Sequence, residues 1–213
     1  MAFLIPREFA TLNSMRTEKL IVFVRAPRPG TVKTRLAQAM GAEGACAAYR
    51  RLAEKLFSRL STLEQVELRF TPDDARAEIK QWQRDTWELQ PQGEGDLGQR
   101  LRGAFAHAFT NGARRVVIIG SDCPAVSVQD IQNAWAALRT YDLVLGPARD
   151  GGYWLIGLRQ PQAGLFEAIA WGTEAVSSQT LRAAQAAGLK VRLLRELYDV
   201  DTEPDWQEFL ATH

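Results

Sequence analysis

Residues 25–36 read RAPRPGTVKTRL and gather Arg25, Arg28, Lys33 and Arg35 around Gly30, just ahead of a helical pattern. Backbone N–H groups at a helix start attract anions, and neighbouring cations strengthen that attraction. Gly30 lets the backbone come close to a phosphate. The stretch therefore reads as a phosphate-binding loop, against the plainer alternative of a solvated basic turn. It is not a Walker A loop, because Pro27 and Val32 stand where the two required glycines belong.

A second chemical stretch is GSDCP, residues 120–124, directly after the apolar run RVVIIG. A carboxylate so close to a buried strand costs several kcal/mol unless it is paired. Asp122, following Ser121, is thus a candidate ligand for a hard divalent cation, Mg²⁺ or Mn²⁺, that would bridge it to a diphosphate. The alternative is a cap on the turn before Pro124. Cys123 has no histidine placed by sequence to activate it and reads as a small turn residue.

Further acids follow. Residues 146–152 read GPARDGG, where Asp150 precedes Gly151 and Gly152 and then Tyr153, either as a ligand-contacting loop or as a plain Asp-Gly turn. Residues 198–202 read YDVDT, so Asp199 and Asp201 share one face if extended. With Asp122 they could complete an oxygen cage; alone, they could cap the last helix through Thr202. Trp171, in AWGT, either stacks on a small acceptor or packs. GEGDLG at 93–98 matches a dinucleotide fingerprint only superficially. Glu94 and Asp96 would repel a pyrophosphate and no acid lies about twenty residues on, which leaves a loop around Gly95 that could touch a base or sugar.

Elements must hold these loops. KLIVFV (19–24), QVELRF (65–70), TWELQ (86–90), RVVIIG (115–120), DLVLG (142–146), YWLIGL (153–158) and KVRLL (190–194) read as strands. Helices are expected over 33–59, with a break near Gly41–Gly44, through Gln83 after Pro72–Asp74, and over 97–110. Others should span 128–139 behind a Ser127/Asp130 capping box, 174–187 behind Thr173, and 203–210. Strands alternating with helices predict an α/β sandwich with a mostly parallel sheet. In such sheets ligands sit beyond the carboxyl ends of the strands, which selects the loops at 25–35, 120–124, 146–152 and 198–202.

Composition narrows the chemistry. The 213 residues carry 26 Lys+Arg and 25 Asp+Glu, a net charge of +1, which argues against nucleic-acid coating by charge. Two histidines, His107 and the terminal His213, leave almost no candidate for a His-based triad. Cys46 and Cys123 cannot build a disulfide framework or a four-thiolate zinc site, which points to a reducing, cytoplasmic compartment. No apolar run approaches the roughly 20 residues of a membrane span. Residues 1–18 read as a tail without a good signal peptide, with Met15 an alternative start, and 19–213 as one domain. Oligomeric state is not legible.

The set VFVRAPRPGTVKTRL, GEGDLGQRL, VVIIGSDCP, DLVLGPARDGGYWLIGL and DVDTEPDW, in that order, resembles the bacterial rSAM/selenodomain-associated transferases. These include arsenosugar-biosynthesis-type glycosyltransferases within the nucleotide-diphospho-sugar transferase superfamily. The resemblance spans about residues 19–210. It implies the GT-A fold, a Rossmann-like α/β/α sandwich with a mixed sheet. It also implies a nucleotide site at Arg25, Ala26, Pro27, Gly30, Lys33, Arg35, Gly95, Ser121 and Asp122. The metal site would be Asp122 with Asp201, since Pro124 departs from the superfamily's usual Asp-X-Asp. Asp150 would orient or deprotonate an acceptor hydroxyl, with Gly151, Gly152, Tyr153 and Trp171 around it.

The expected activity is metal-dependent glycosyl transfer from a nucleotide-sugar to a small acceptor, with Asp122, Lys33 and Asp150 as the catalytic residues. The alternative is nucleotidyl transfer from a nucleoside triphosphate to a phosphorylated small acceptor. A non-catalytic nucleotide-binding module is the third possibility.

Overall fold

The structure, a computed structural model, describes residues 17–212. Residues 1–16, most of the expected tail together with the choice between Met1 and Met15, lie outside the described residues. Seven strands form one sheet: β1 (Glu18–Arg25), β2 (Val66–Thr71), β3 (Glu88–Pro91), β4 (Arg115–Gly120), β5 (Leu143–Pro147), β6 (Tyr153–Leu158) and β7 (Val191–Leu193). Their order is β3-β2-β1-β4-β6-β5-β7. All neighbours run parallel except β6, which is antiparallel to both β4 and β5. The result is the mixed, mostly parallel Rossmann-like sandwich.

Alternation along β1 explains the two layers. Leu20, Val22 and Val24 point to one side, and Ile21 and Phe23 to the other. The first side packs on α1 (Ala37–Arg59) through Tyr49, Ala53 and Leu56, and on α4 (Val128–Ala137) through Ile131 and Ala134. It also covers the short α2 (Arg76–Ile79). The second side packs on α3 (Leu97–Thr110) through Leu101, Ala104 and Phe105, and on α5 (Val176–Ala186) through Ala184. A further apolar cluster joins α6 (Glu203–Thr212) to the outer face of α1: Trp206, Phe209 and Val200 meet Leu36, Ala45, Ala48 and Leu52.

Several expected boundaries move. The helix expected from residue 33 begins at Ala37, and the expected break falls at Gly41, whose φ of 76° is non-helical. The helix expected through Gln83 is one α-turn followed by a 3₁₀ turn over Lys80–Trp82. α5 begins at Val176 rather than 174: the Thr173 hydroxyl donates to Ala170 O (2.8 Å) and accepts from Ala175 N (3.3 Å), so it closes the preceding turn and does not cap the helix. α4 stops at Ala137. No helix among the described residues is long and apolar enough to cross a membrane.

Candidate active site

Sheet order sets where a ligand can enter. From β1 the chain moves outward to β2 and β3, then returns to the other side of β1 as β4. A crevice opens where such an order reverses, beyond the carboxyl ends of β1 and β4. Loop 25–36 follows β1 and the Ser121–Asp122 turn follows β4, so the two stretches face each other across this crevice.

Tyr49 of α1 braces the floor. Its hydroxyl accepts from Arg25 N (2.9 Å) and lies 2.8 Å from Ser121 Oγ, tying the two strand ends together. Burial pushes the phenol up to about 12, so it stays neutral in this role. Sequence reasoning missed Tyr49, because nothing local marks one tyrosine in an apolar helix face. The predicted residue Ser121 is buried and serves this brace.

Lys33 is the centre of the crevice. Its ammonium donates to Asp122 Oδ2 (2.8 Å) and to Asp201 Oδ1 (2.6 Å). The lysine side chain is 3% exposed, while the two carboxylates are 33% and 37% exposed. Burial alone would pull the lysine pKa down, but the two carboxylates outweigh it and hold the ammonium above its ordinary range. Burial likewise opposes charge on Asp122, yet Lys33 and, behind it, Arg25 keep that carboxyl below the usual range. Lys33 has φ of 48°, left-handed backbone that costs a non-glycine residue roughly 1–2 kcal/mol. The expected open oxygen cage is not preformed. Among the described residues no group of three or more His, Cys, Asp and Glu converges as a cation cage, and the two metal candidates share an ammonium instead.

Asp201 reaches this point because the last segment is anchored twice. Trp206 and Phe209 dock α6 on α1, with the Arg51 guanidinium 5.8 Å from the Trp206 ring centroid. Helix capping falls to Thr202 and Asp205, whose carboxylate accepts from Thr202 N (2.8 Å) and Oγ1 (2.6 Å). Capping through Thr202, one of the two readings of YDVDT, is thus observed with Asp205 as its partner, and Asp199 and Asp201 line the crevice. Asp199 is driven well above the usual carboxylate range, by burial first and then by Asp122, Asp201 and Asp150. The Asp-X-Asp alternation was the only sequence signal for it.

Three connected hollows complete the site. One of about 260 Å³ is lined by Arg25, Thr31, Lys33, Thr34, Arg35, Asp122 and Asp201. A larger one of about 600 Å³ runs past Arg35 and Asp201 to Leu97, Asp150, Gly152, Tyr153, Trp171 and Glu174, with Asp199 on its wall. A third, about 230 Å³, lies under Arg149, Tyr198 and Thr202 and shares Asp150, Asp199 and Asp201. Arg35, 67% exposed, stands between the first two.

The remaining expected residues take varied places. Arg28 leaves the phosphate loop, because its guanidinium is tied to Glu78 (2.6 Å) and Asp74 (3.2 Å). Pro27 contributes its carbonyl to Cys46 Sγ (2.9 Å) and Arg50 (3.2 Å), and Ala26 is buried in the core. Gly30, at φ 78°, gives the loop its turn. Gly95 lines none of these hollows. It precedes the Asp96/Gln99 capping box, and Leu97 is the nearby residue that reaches the larger hollow. Trp171 packs, as one of its two readings had it. It lines that hollow and also packs so tightly on Gly98 that a Cβ there would meet its Nε1 at 2.7 Å. Asp150 Oδ1 accepts from Gly152 N (2.9 Å), and Gly151, φ 85°, is pressed against the Glu174 carbonyl. The Tyr153 ring lines the hollow, but its hydroxyl is buried beneath it.

Fold and sequence similarity to a crystal structure place the chain in the nucleotide-diphospho-sugar transferase superfamily. Within it, a family profile described as "uncharacterized protein conserved in bacteria (DUF2064)" matches residues 58–173, and the chain belongs to that family. A crystal structure assigned to the nucleotide-diphospho-sugar transferases, from Desulfovibrio desulfuricans G20, is 34% identical with a TM-score of 0.86, over 92% of this chain and 87% of that one. The fold is also that of the 4-diphosphocytidyl-2C-methyl-D-erythritol synthase of Anaerococcus prevotii DSM 20548 (12% identity, TM-score 0.60, 92% and 98% covered). It is shared as well by a CMP:2-keto-3-deoxy-manno-octonic acid synthetase solved with CTP (8%, 0.59, 92% and 98%). No curated protein matches the chain.

Proposed function

We propose that the protein is a metal-dependent glycosyltransferase that moves a sugar from a nucleotide-sugar to a hydroxyl of a small acceptor. The observation that carries this reading is the charge gradient along the crevice. Arg25, Lys33 and Arg35 outnumber Asp122 and Asp201 in the hollow of about 260 Å³, while Asp150, Glu174 and Asp201 outnumber Arg35 in the one of about 600 Å³. A diphosphate suits the first. The second would repel a phosphorylated acceptor and suits a neutral or amine-bearing one, which favours glycosyl transfer over nucleotidyl transfer to a phosphate ester.

Asp122 and Asp201 fit a hard cation that takes one or two carboxylates and completes its shell with substrate phosphates and water. Bound there, such a cation would neutralise charge on the departing diphosphate. Lys33 and Arg35 would hold the same oxygens as charge develops. Asp150 lines the larger hollow, where it can accept the proton of an attacking hydroxyl, and Asp199 on the same wall, kept above the usual carboxylate range, can donate a hydrogen bond to the acceptor. Trp171 and Leu97 offer the acceptor an apolar wall.

Turnover tests this reading. Purified protein incubated with nucleotide-sugars and Mn²⁺ should release nucleoside diphosphate, and Asp122→Asn should remove the metal-dependent part while affinity for the metal-free nucleotide stays within about twofold. Full activity in Asp122→Asn would sink the assignment.

A further inference from the structure

We propose that Lys33 is a resident counter-ion that keeps a divalent cation out of the Asp122–Asp201 pair until a diphosphate draws the ammonium away. The inference rests on the metal-dependent reading above, and adds a rule for the order in which the two ligands bind.

The geometry leaves little choice. One oxygen of each carboxylate a cation would need, Asp122 Oδ2 and Asp201 Oδ1, is already hydrogen-bonded to a single ammonium, at 2.8 and 2.6 Å. Lys33 approaches from the protein side and is 3% exposed, whereas the two carboxylates each show about a third of their surface to solvent. A cation arriving from solvent therefore meets oxygens whose charge is largely spent, with a positive group directly behind them. At such separations the repulsion between ammonium and dication amounts to several kcal/mol even at an effective dielectric of about 20.

A diphosphate changes the balance. Lys33 lines the same hollow as Arg25, Thr31, Thr34 and Arg35, so an anion bound there lies within reach of its flexible side chain. When the ammonium turns to phosphate oxygens, both carboxylates lose their partner and become ligands. Cation and diphosphate binding become mutually dependent, each raising affinity for the other by the same factor.

Mn²⁺ titration of the full chain without nucleotide, read by calorimetry or by the electron paramagnetic resonance signal of free Mn²⁺, tests this directly. The wild type should bind weakly, with Kd near or above about 1 mM, and Lys33→Met should bind at least about tenfold more tightly. Adding Asp201→Asn to Lys33→Met should erase the gain, which locates it at this pair. Should Lys33→Met fail to fold, Lys33→Gln reads the same effect. Micromolar Mn²⁺ binding by the wild type that Asp122→Asn abolishes would overturn the proposal, as would a Lys33→Met protein that binds no more tightly than wild type. No substrate enters these titrations. A failure here therefore leaves the transferase reading standing, and a failed turnover assay leaves this result intact.

Discussion

The Val200 amide donates to the Asp122 carbonyl at 3.2 Å, so the chain segment carrying Asp199 and Asp201 is tied by its backbone to the segment carrying Asp122. One hydrogen bond thus fixes the spacing of three carboxylates from two distant parts of the sequence. Val200 itself is buried with Trp206 and Phe209 against α1, which couples the position of Asp201 to the docking of the last helix.

Trp206→Ala should therefore cost more than its own packing. Loss of a buried tryptophan is expected to destabilise the fold by about 3–5 kcal/mol in urea melts. Asp201 should also be released from Lys33, so turnover should fall further than that of an equally destabilised variant such as Leu101→Ala, placed in the opposite layer. Equal losses of turnover in the two variants would separate α6 from the site.

Gly98 is held by contact, not by phosphate. A Cβ there would lie 2.7 Å from Trp171 Nε1 and 2.9 Å from the Phe166 carbonyl. Gly98→Ala should push Trp171 out of place and raise the acceptor KM several-fold while nucleotide affinity, measured by calorimetry, stays unchanged. A selective loss of nucleotide affinity would restore the GEGDLG stretch as a nucleotide loop.

The raised pKa of Asp199 has a definite consequence for stability. Its folded form holds a proton that the unfolded chain gives up near the ordinary value of about 4. Folding then takes up a proton, so this contribution is present below about pH 4 and is lost as pH rises toward the folded value. Asp199→Asn removes the dependence. Its melting temperature should exceed that of wild type at pH 7–8, with the difference shrinking toward pH 4. A difference that grows toward low pH would contradict the assignment.

Much of the scaffold was legible because its signals are local. Ser127 with Asp130 marks a helix start within four residues, and RVVIIG and YWLIGL coincide with β4 and β6. The carboxyl-end rule selected loops whose residues line adjoining hollows in the fold. The direction of β6 was not legible, since a strand buried on both faces reads the same either way. Arg28 looked equivalent to Lys33 until α2 supplied Glu78 as its partner. Lys33 seated between Asp122 and Asp201 depends on contacts 89 and 168 residues apart, which no local pattern encodes.

The most direct test of the central claim is a thermal-shift comparison of nucleotide-sugars and nucleoside triphosphates, each with and without Mn²⁺. Saturating nucleotide-sugar with Mn²⁺ should raise the melting temperature by roughly 5–10 °C, with either component alone giving far less. A shift produced only by triphosphates would contradict glycosyl transfer and assign nucleotidyl transfer to the same crevice, and a shift indifferent to Mn²⁺ would remove the cation from the account.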